Sequence, residues 1–218
     1  LNKTNLYNIF AIKKATLLSK EELTKKTGVQ FGEKNLLITY HPVTLEKQTS
    51  QKQFQALLDV FYDLKDLNLI FTMPNADSDG RIIKQMIDEF VLNNSNSSIA
   101  FISMGHLNYL STLQFVDGVV GNSSSGLVEV PIFKIGTINI GDRQKGRLKA
   151  KSIIDCEPTQ QSIGEALKKL YSVDFQKKLK NVINPYGTGG ASESIVKILE
   201  DISLDDILKK KFYDLEVK

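Results

Sequence analysis

The sequence predicts a doubly wound α/β fold, Rossmann-like, in which a parallel sheet carries helices on both faces. Six short apolar runs of strand length recur along the chain, and segments with helical spacing of apolar residues lie between them. No hairpin signal joins neighbouring runs, so each connection is expected to be a right-handed crossover. A chain of 218 residues can bury a core of this kind.

The predicted strands contain residues 36–40, 69–73, 99–103, 118–121, 136–140 and 152–154. The first connecting helix is predicted at 51–64, where Phe54, Leu57 and Phe61 share one face, and the second at 81–92. The chain becomes helical again from residue 162. No strand precedes the glycine cluster at 187–190, so it predicts a loop before a last helix at 193–199, not a dinucleotide fingerprint.

Composition excludes several classes of protein. Apolar residues make up 41% and charged residues 24%, as in ordinary globular domains. The net charge is +3 and the lysines are spread out, so nucleic acid is not indicated, and no apolar run approaches membrane-spanning length. The single cysteine, Cys156, excludes an internal disulfide and favours a cytoplasmic location. Asp77 and Asp79 lack further ligands nearby, so neither a metal nor a cofactor is predicted.

Polar loops follow the predicted strands, and they indicate where a ligand would bind. In doubly wound sheets the ligand lies beyond the carboxyl ends of the strands. The residues at those ends are small, polar or chemically functional, whereas the opposite edge carries ordinary turn residues. Function is therefore expected in the segments 40–44, 73–77, 103–106, 122–126 and 141–144.

The most informative loop runs from Gly121 to Gly126, where a strand leads through three serines into a helix. The two glycines allow a sharp turn and close backbone approach, and the serines offer hydroxyls and amides at the positive end of the helix. Glu129 lies about one turn further on and would accept from a ribose hydroxyl pair. The loop predicts a nucleoside diphosphate site; the alternative is that its hydroxyls only cap the helix.

Five motifs together resemble the C-terminal half of the hydrolysing UDP-N-acetylglucosamine 2-epimerases. The match covers most of the chain, and its motifs recur in the order and spacing of that family. If it holds, the chain is a fragment of a longer protein, in keeping with its start at Leu1. The motifs are YHPVT at 40–44, PNAD at 74–77, GNSSSG at 121–126 with Glu129, INIGDRQKGR at 138–147 and NPYG at 184–187.

The resemblance implies a GT-B architecture, in which two Rossmann-like domains face each other and UDP is held mainly by the C-terminal one. Residues 31–200 would form that domain, after a linker and helix in 1–30 and before a helical tail in 201–218. The implied reaction is elimination of UDP from UDP-GlcNAc followed by hydration, which yields UDP and N-acetylmannosamine for sialic-acid-type sugar synthesis. The main acid and base would lie in the missing N-terminal domain, and the full-length protein would be a homodimer.

The resemblance also assigns substrate-binding residues. The diphosphate would be bound by Ser123, Ser124 and Gly126, the ribose by Glu129, and the uracil edge by the backbone of Ser103 and Met104. The same pocket would be lined by His41, Asn75 and Arg143. Independently of the family, a departing diphosphate gains charge, so the hydrogen bonds of Arg143 and His41 would strengthen in the transition state.

Alternatives remain at several of these positions. His41 could be a strand-end histidine ordered by Pro42, Asn75 a turn former, and Arg143 part of a solvated basic loop. His106 is interpreted as structural. For the whole protein the alternatives are a 2-epimerase for a UDP-2,4-diacetamido-trideoxyhexose, one half of a GT-B glycosyltransferase, or a binding module that senses nucleotide without turnover.

Overall fold

The computed structural model describes residue 9 and residues 11–43, 49–64, 66–74 and 78–203. Within these residues all strands belong to one six-stranded sheet whose pairs are all parallel. The strands are β1 (Lys34–Thr39), β2 (Leu67–Thr72), β3 (Ser98–Phe101), β4 (Gly118–Gly121), β5 (Gly136–Ile140) and β6 (Ile153–Cys156), in the spatial order β3-β2-β1-β4-β5-β6. The predicted doubly wound sheet is confirmed.

Helices connect the strands and end the described chain. The helix α1 (Lys20–Thr27) precedes β1; a capping box between Ser19 and Glu22 caps its start, and Gly28, whose φ is 76°, caps its end. The helices are α1 (Lys20–Thr27), α2 (Ser50–Tyr62), α3 (Ser78–Asn93), α4 (His106–Thr112), α5 (Ser125–Val128), a 3₁₀ turn (Val130–Phe133), α6 (Gln160–Leu170), α7 (Val173–Leu179) and α8 (Ala191–Asp201).

The core lies on both faces of the sheet, because successive side chains of a strand point to opposite sides. Leu36 and Ile38 of β1 pack with the cluster that contains α2, α3 and α6, whereas Leu37 packs with α4 on the other face. All three are at most 1% exposed. Burial on both faces explains why the strands read as continuous apolar runs instead of alternating ones.

The register aligns the carboxyl ends of the strands along one edge. Thr39, the last residue of β1, pairs with Thr72 on one side and with Gly121 on the other, and Gly121 pairs with Asn139. The chain runs from β1 outward to β3 and then returns to the other side of β1 with β4. The crevice between β1 and β4 is therefore the switch point where a doubly wound sheet binds its ligand.

The helix that the sequence predicts after residues 121–124 is short. α5 has four residues and gives way to the 3₁₀ turn, in which Pro131 has no amide hydrogen to donate to a preceding turn. The expected final helix is found as α8, none of whose residues is buried. Residues 204–218, the larger part of the predicted tail, lie outside the described residues, and the domain boundaries stay a prediction.

Candidate functional site

Asn122 joins the loops that follow β1 and β4. It is 1% exposed, and its side chain forms two hydrogen bonds with the backbone of His41. Oδ1 accepts from the His41 N–H at 2.7 Å, and Nδ2 donates to the His41 carbonyl at 2.8 Å. The Asn122 N–H donates to the carbonyl of Thr39 at 3.1 Å. His41 and Asn122 are 81 residues apart, so this pairing fixes two distant segments at the switch point.

The loop after β5 reaches the same residue. Arg143 Nη1 and Gln144 Nε2 both donate to the carbonyl oxygen of Asn122, at 3.0 and 2.7 Å. Gln144 is buried, whereas Arg143 is exposed beside it. Gly141, with a φ of 69°, turns the chain out of β5 in a conformation that glycine adopts readily. We call His41, Asn122, Arg143 and Gln144 the Asn122 clamp, because it holds three loops together.

Gly121 lets β4 approach β1 closely just before the clamp. Its φ is 141°, and a Cβ added there would lie 2.0 Å from the carbonyl oxygen of Thr39. That separation is far inside van der Waals contact, so only glycine fits without moving the backbone. The first glycine of the GNSSSG motif is thus explained by packing between strands.

The serine loop, residues 122–126, presents backbone amides at the carboxyl end of β4. The amides of Gly126 and Leu127 donate back to the carbonyls of Ser123 and Ser124 at 3.2 and 3.1 Å. Within the described residues, the amides of Ser123 and Ser124 themselves donate to no protein group. Adjacent N–H groups directed out of a turn are a common way to bind a phosphate oxygen. Ser123 and Ser124 thus present their amides at this edge, whereas the Gly126 amide is already bonded to Ser123, and binding of a diphosphate by these three residues stays a prediction.

Glu129 follows α5 and is bonded to the serine loop by a side chain. The Ser125 hydroxyl donates to Glu129 Oε2, and the Tyr109 hydroxyl lies 2.6 Å from Ser125 Oγ. The sequence predicts that all three serines offer hydroxyls to the ligand. Ser125 departs from this, because its hydrogen is already given to Glu129.

The loop after β3 lies at the start of α4. Met104 is 6% exposed, and its carbonyl accepts from Asn108 Nδ2 at 2.8 Å. Ser103 is exposed, and its Oγ accepts from the Gly105 N–H at 3.2 Å. Tyr109, on the helix that this loop begins, connects it to the serine loop. Ser103 and Met104 are thus at the same sheet edge as the serines.

The other three predicted residues, His41, Asn75 and His106, have different outcomes. The backbone of His41 is held in the clamp, and its half-buried side chain is at the switch point. Asn75, with Asp77 beside it, lies outside the described residues. His106 is exposed as the first residue of α4.

The local electrostatics favour an anionic ligand. Burial, and to a smaller extent the neighbouring Arg147, lower the pKa of Arg143, yet an arginine starts from so high a pKa that it remains a cation. Within the described residues, no group of three or more His, Cys, Asp or Glu side chains could hold a metal ion. Nor is any helix in these segments long and apolar enough to cross a membrane.

In the sequence, Asn122 and Gln144 stand out only as members of motifs, and nothing predicts a role for Tyr109 at the site. The three side chains make the contacts that hold the loops, and these contacts are tertiary. The motifs GNSSSG and GDRQ were the available signal for the first two, whereas Tyr109 stands in a helix with nothing to distinguish it from a core residue.

A parallel sheet of this order, with its loops joined at the switch point, defines a Rossmann-like α/β domain. Comparison with known proteins narrows the class, since a family model described as UDP-N-acetylglucosamine 2-epimerase matches residues 8–200. The chain belongs to the UDP-N-acetylglucosamine 2-epimerase family, as the motifs indicate.

Relatives and solved structures agree with this. The chain is 41% identical over 205 residues to the GDP/UDP-N,N'-diacetylbacillosamine 2-epimerase (hydrolyzing) of Campylobacter jejuni, across 94% of this chain and 53% of that protein. It is 33% identical over 201 residues to a polysialic acid biosynthesis protein of Escherichia coli, and the match covers 91% of this chain and 51% of that protein. The crystal structure of UDP-GlcNAc 2-epimerase from Neisseria meningitidis bound to UDP-GlcNAc matches with a TM-score of 0.64 at 16% identity. The match covers 92% of this chain and 52% of that one.

The coverage has a direct consequence. The chain spans about half the length of the curated relatives that it matches. The fold is that of one half of a GT-B protein of this family, which confirms the predicted architecture.

Proposed function

We propose that this chain is the UDP-binding half of a hydrolysing 2-epimerase. The reaction converts a UDP-linked 2-acetamido sugar and water into UDP and the free sugar inverted at C2. UDP leaves by elimination, and water then adds to the resulting glycal. With UDP-GlcNAc the products are UDP and N-acetylmannosamine. The Asn122 clamp carries the proposal, because it positions the amides of Ser123 and Ser124, which donate to no group among the described residues, at the switch point of the sheet.

The roles of the residues follow from charge. The amides of Ser123 and Ser124 bind the diphosphate, and the Glu129 carboxylate accepts from the ribose hydroxyls. Gly126 serves the loop by packing, since a Cβ there would lie 2.7 Å from Thr137 Cγ2. The backbone of Ser103 and Met104 pairs with uracil. Arg143 and His41 face the leaving group, which gains negative charge as the C1–O bond breaks. Asn75 is included in the proposal on the resemblance of the motif at 74–77 alone.

The rest of the pocket belongs to a second domain. The roughly twofold length of the relatives supports an N-terminal half that supplies the acid and base. The outer surface of α8 also supports it, since Ile198 and Leu199 are 62% and 66% exposed and such apolar surface is normally covered. We further propose that the intact protein is a homodimer in the cytoplasm, where the free thiol of Cys156 stays reduced.

Two sugars are candidate substrates. UDP-GlcNAc is the sugar of the family description, and the Escherichia coli relative supports a place in sialic-acid-type synthesis. The 41% identity to the Campylobacter jejuni protein, whose name covers both GDP- and UDP-N,N'-diacetylbacillosamine, supports the UDP-linked form of that sugar as the second. Both are UDP-linked 2-acetamido sugars. The half of the site described above binds the UDP group that they share, so it does not distinguish between them.

The proposal is tested by titrating the intact protein that contains this chain with UDP, and with CMP and GDP as controls. We expect UDP to bind most tightly, Ser124→Ala and Glu129→Ala to weaken it about tenfold, and the exposed Ser95→Ala control to leave it unchanged. Failure of UDP to bind would refute the proposal.

Turnover separates the remaining alternatives. The protein is incubated with each UDP-sugar in water alone, and released UDP and free sugar are measured. A 2-epimerase needs no acceptor, whereas a glycosyltransferase releases UDP in step with transfer to an added acceptor. A nucleotide-sensing module would bind UDP without releasing any product.

A further inference from the structure

Tyr109, Ser125 and Glu129 form a continuous chain of hydrogen bonds from α4 to the end of α5. Tyr109 Oη lies 2.6 Å from Ser125 Oγ, and Ser125 Oγ contacts Glu129 Oε2. All three residues are partly buried. Ser125 and Glu129 are four positions apart, whereas Tyr109 lies on a different helix from Ser125. Tyr109 belongs to the helix that the loop of Ser103 and Met104 begins, so the chain joins two loops of the proposed site.

The direction of each hydrogen in this chain is fixed by its charged end. An ionised carboxylate only accepts, so Ser125 must give its one hydroxyl hydrogen to Glu129. The Ser125 oxygen can then only accept from Tyr109, and the phenol must be the donor. Burial, and more weakly the charge of Glu129, raise the pKa of Tyr109, so the phenol keeps its hydrogen throughout the physiological range. Both hydrogens therefore point toward Glu129.

Such a chain holds the carboxylate without using all of its capacity. A carboxylate has about four acceptor sites on its two oxygens, and Ser125 occupies one of them. No other group in the part of the chain that the structure describes donates to the Glu129 side chain, so the remaining sites are left for donors from outside the protein. Each bond in the chain polarises the next, so the phenol strengthens the hold on Glu129 although it does not contact it.

We infer that Tyr109 and Ser125 are positioning residues that orient Glu129 toward the ribose hydroxyls of the bound nucleotide. The inference rests on the proposed function, and it adds that discrimination between ribose and deoxyribose depends on a residue outside the motifs. A hydroxyl pair donates to a carboxylate held in one orientation, whereas a carboxylate that rotates freely loses part of that preference to entropy.

The experiment compares the affinity of the intact protein for UDP and for 2′-deoxy-UDP by calorimetric titration. The measured quantity is the ratio of the two dissociation constants. We expect a ratio of about tenfold or more in the unmodified protein, and a ratio near one in Glu129→Gln. Ser125→Ala should reduce the preference several-fold, and Tyr109→Phe about two- to threefold.

Tyr171→Phe is the matched control. The Tyr171 hydroxyl also contacts a carboxylate, that of Asp117, at 3.5 Å, but at the opposite edge of the sheet. This variant loses the same atom and should keep the unmodified ratio. A general loss of packing would weaken the binding of UDP and of 2′-deoxy-UDP alike and leave the ratio of their dissociation constants unchanged. A change in this ratio therefore reports on the positioning of Glu129.

The outcomes distinguish the inference from the proposed function. If Glu129→Gln loses the preference while Ser125→Ala and Tyr109→Phe both keep it, the positioning role is overturned and the ribose role of Glu129 stands. If Glu129→Gln keeps the preference, Glu129 does not read the ribose, and the inference fails with that assignment. If UDP does not bind at all, the proposed function itself fails. Ser125→Ala and Tyr109→Phe each interrupt the same series of hydrogen bonds at a different residue. If one of the two variants folds poorly, the other still provides the test.

Discussion

Removing the side chain of Asn122 should loosen the site and destabilise the fold together. In Asn122→Ala the backbone N–H and C=O of His41 lose their partners at 2.7 and 2.8 Å. Leaving a buried backbone group unpaired costs about 1–3 kcal/mol each, and His41 is only half-buried, so we take the lower part of that range. The expected loss of stability is about 3 kcal/mol, because two groups are affected.

For a chain of this size each kcal/mol lowers the melting temperature by about 2–4 °C, so the expected fall is roughly 6–12 °C. Thermal unfolding followed by circular dichroism measures it. Asn96→Ala, at an exposed turn on the opposite edge of the sheet, removes the same atoms and should shift the melting temperature by less than about 2 °C.

UDP affinity supplies the second readout of the same variant. The amides of Ser123 and Ser124 follow directly on Asn122, so we expect the dissociation constant for UDP to rise at least about tenfold. If Asn122→Ala matched Asn96→Ala in both melting temperature and affinity, the clamp would not be the feature that organises this site.

Three further predictions follow from single contacts. Gly121→Ala forces a Cβ to within 2.0 Å of a carbonyl oxygen and should lower the free energy of unfolding, measured by chemical denaturation, by about 3 kcal/mol or more. Gly164→Ala, in the interior of α6 with no atom within 4 Å of the new Cβ, should raise it by about 0.5–1 kcal/mol, and equal effects would contradict the packing argument. Arg143→Lys loses the hydrogen bond to the Asn122 carbonyl and should weaken UDP binding about tenfold, while Arg147→Lys on the same loop should change it little, and a reversal of that order would remove Arg143 from the site. Burial, followed by nearby carboxylates, raises the pKa of Cys156 to about 12, so at pH 8 its thiol should react with iodoacetamide at least a hundredfold more slowly in the folded than in the urea-unfolded protein; comparable rates would contradict this. Because the folded pKa of Cys156 is the higher one, its contribution to stability is complete below the unfolded value near 9 and is lost as the pH rises toward 12.

The sheet could be predicted from the sequence because its strands are buried on both faces. β1 and β2 each place consecutive apolar residues in the core, so a strand of this kind stands out against the amphipathic helices around it. The absence of hairpin turns predicts the parallel arrangement, and a parallel arrangement places the polar loops at one edge of the sheet.

The side chains that hold the site could be predicted less well. Asn122 and Gln144 are polar residues in polar loops, and no periodicity marks them as 1% exposed. Tyr109 is used for its hydroxyl, but a tyrosine on a helix of seven residues reads as an ordinary core position. The sequence predicts that a helix follows the serines but not how long it is, although Pro131 is consistent with an early end of α5.

The pairing of β1 with β4 also governs when the site can exist during synthesis. One edge of β1 can pair once β2 (Leu67–Thr72) has been made, but its other edge stays open until the chain has grown by the 81 residues that separate His41 from Asn122. At about 5–20 residues per second, translation needs roughly 4–16 s to cover that distance. An apolar strand edge is exposed to other nascent chains for that time, and the crevice that would bind UDP is complete only afterwards.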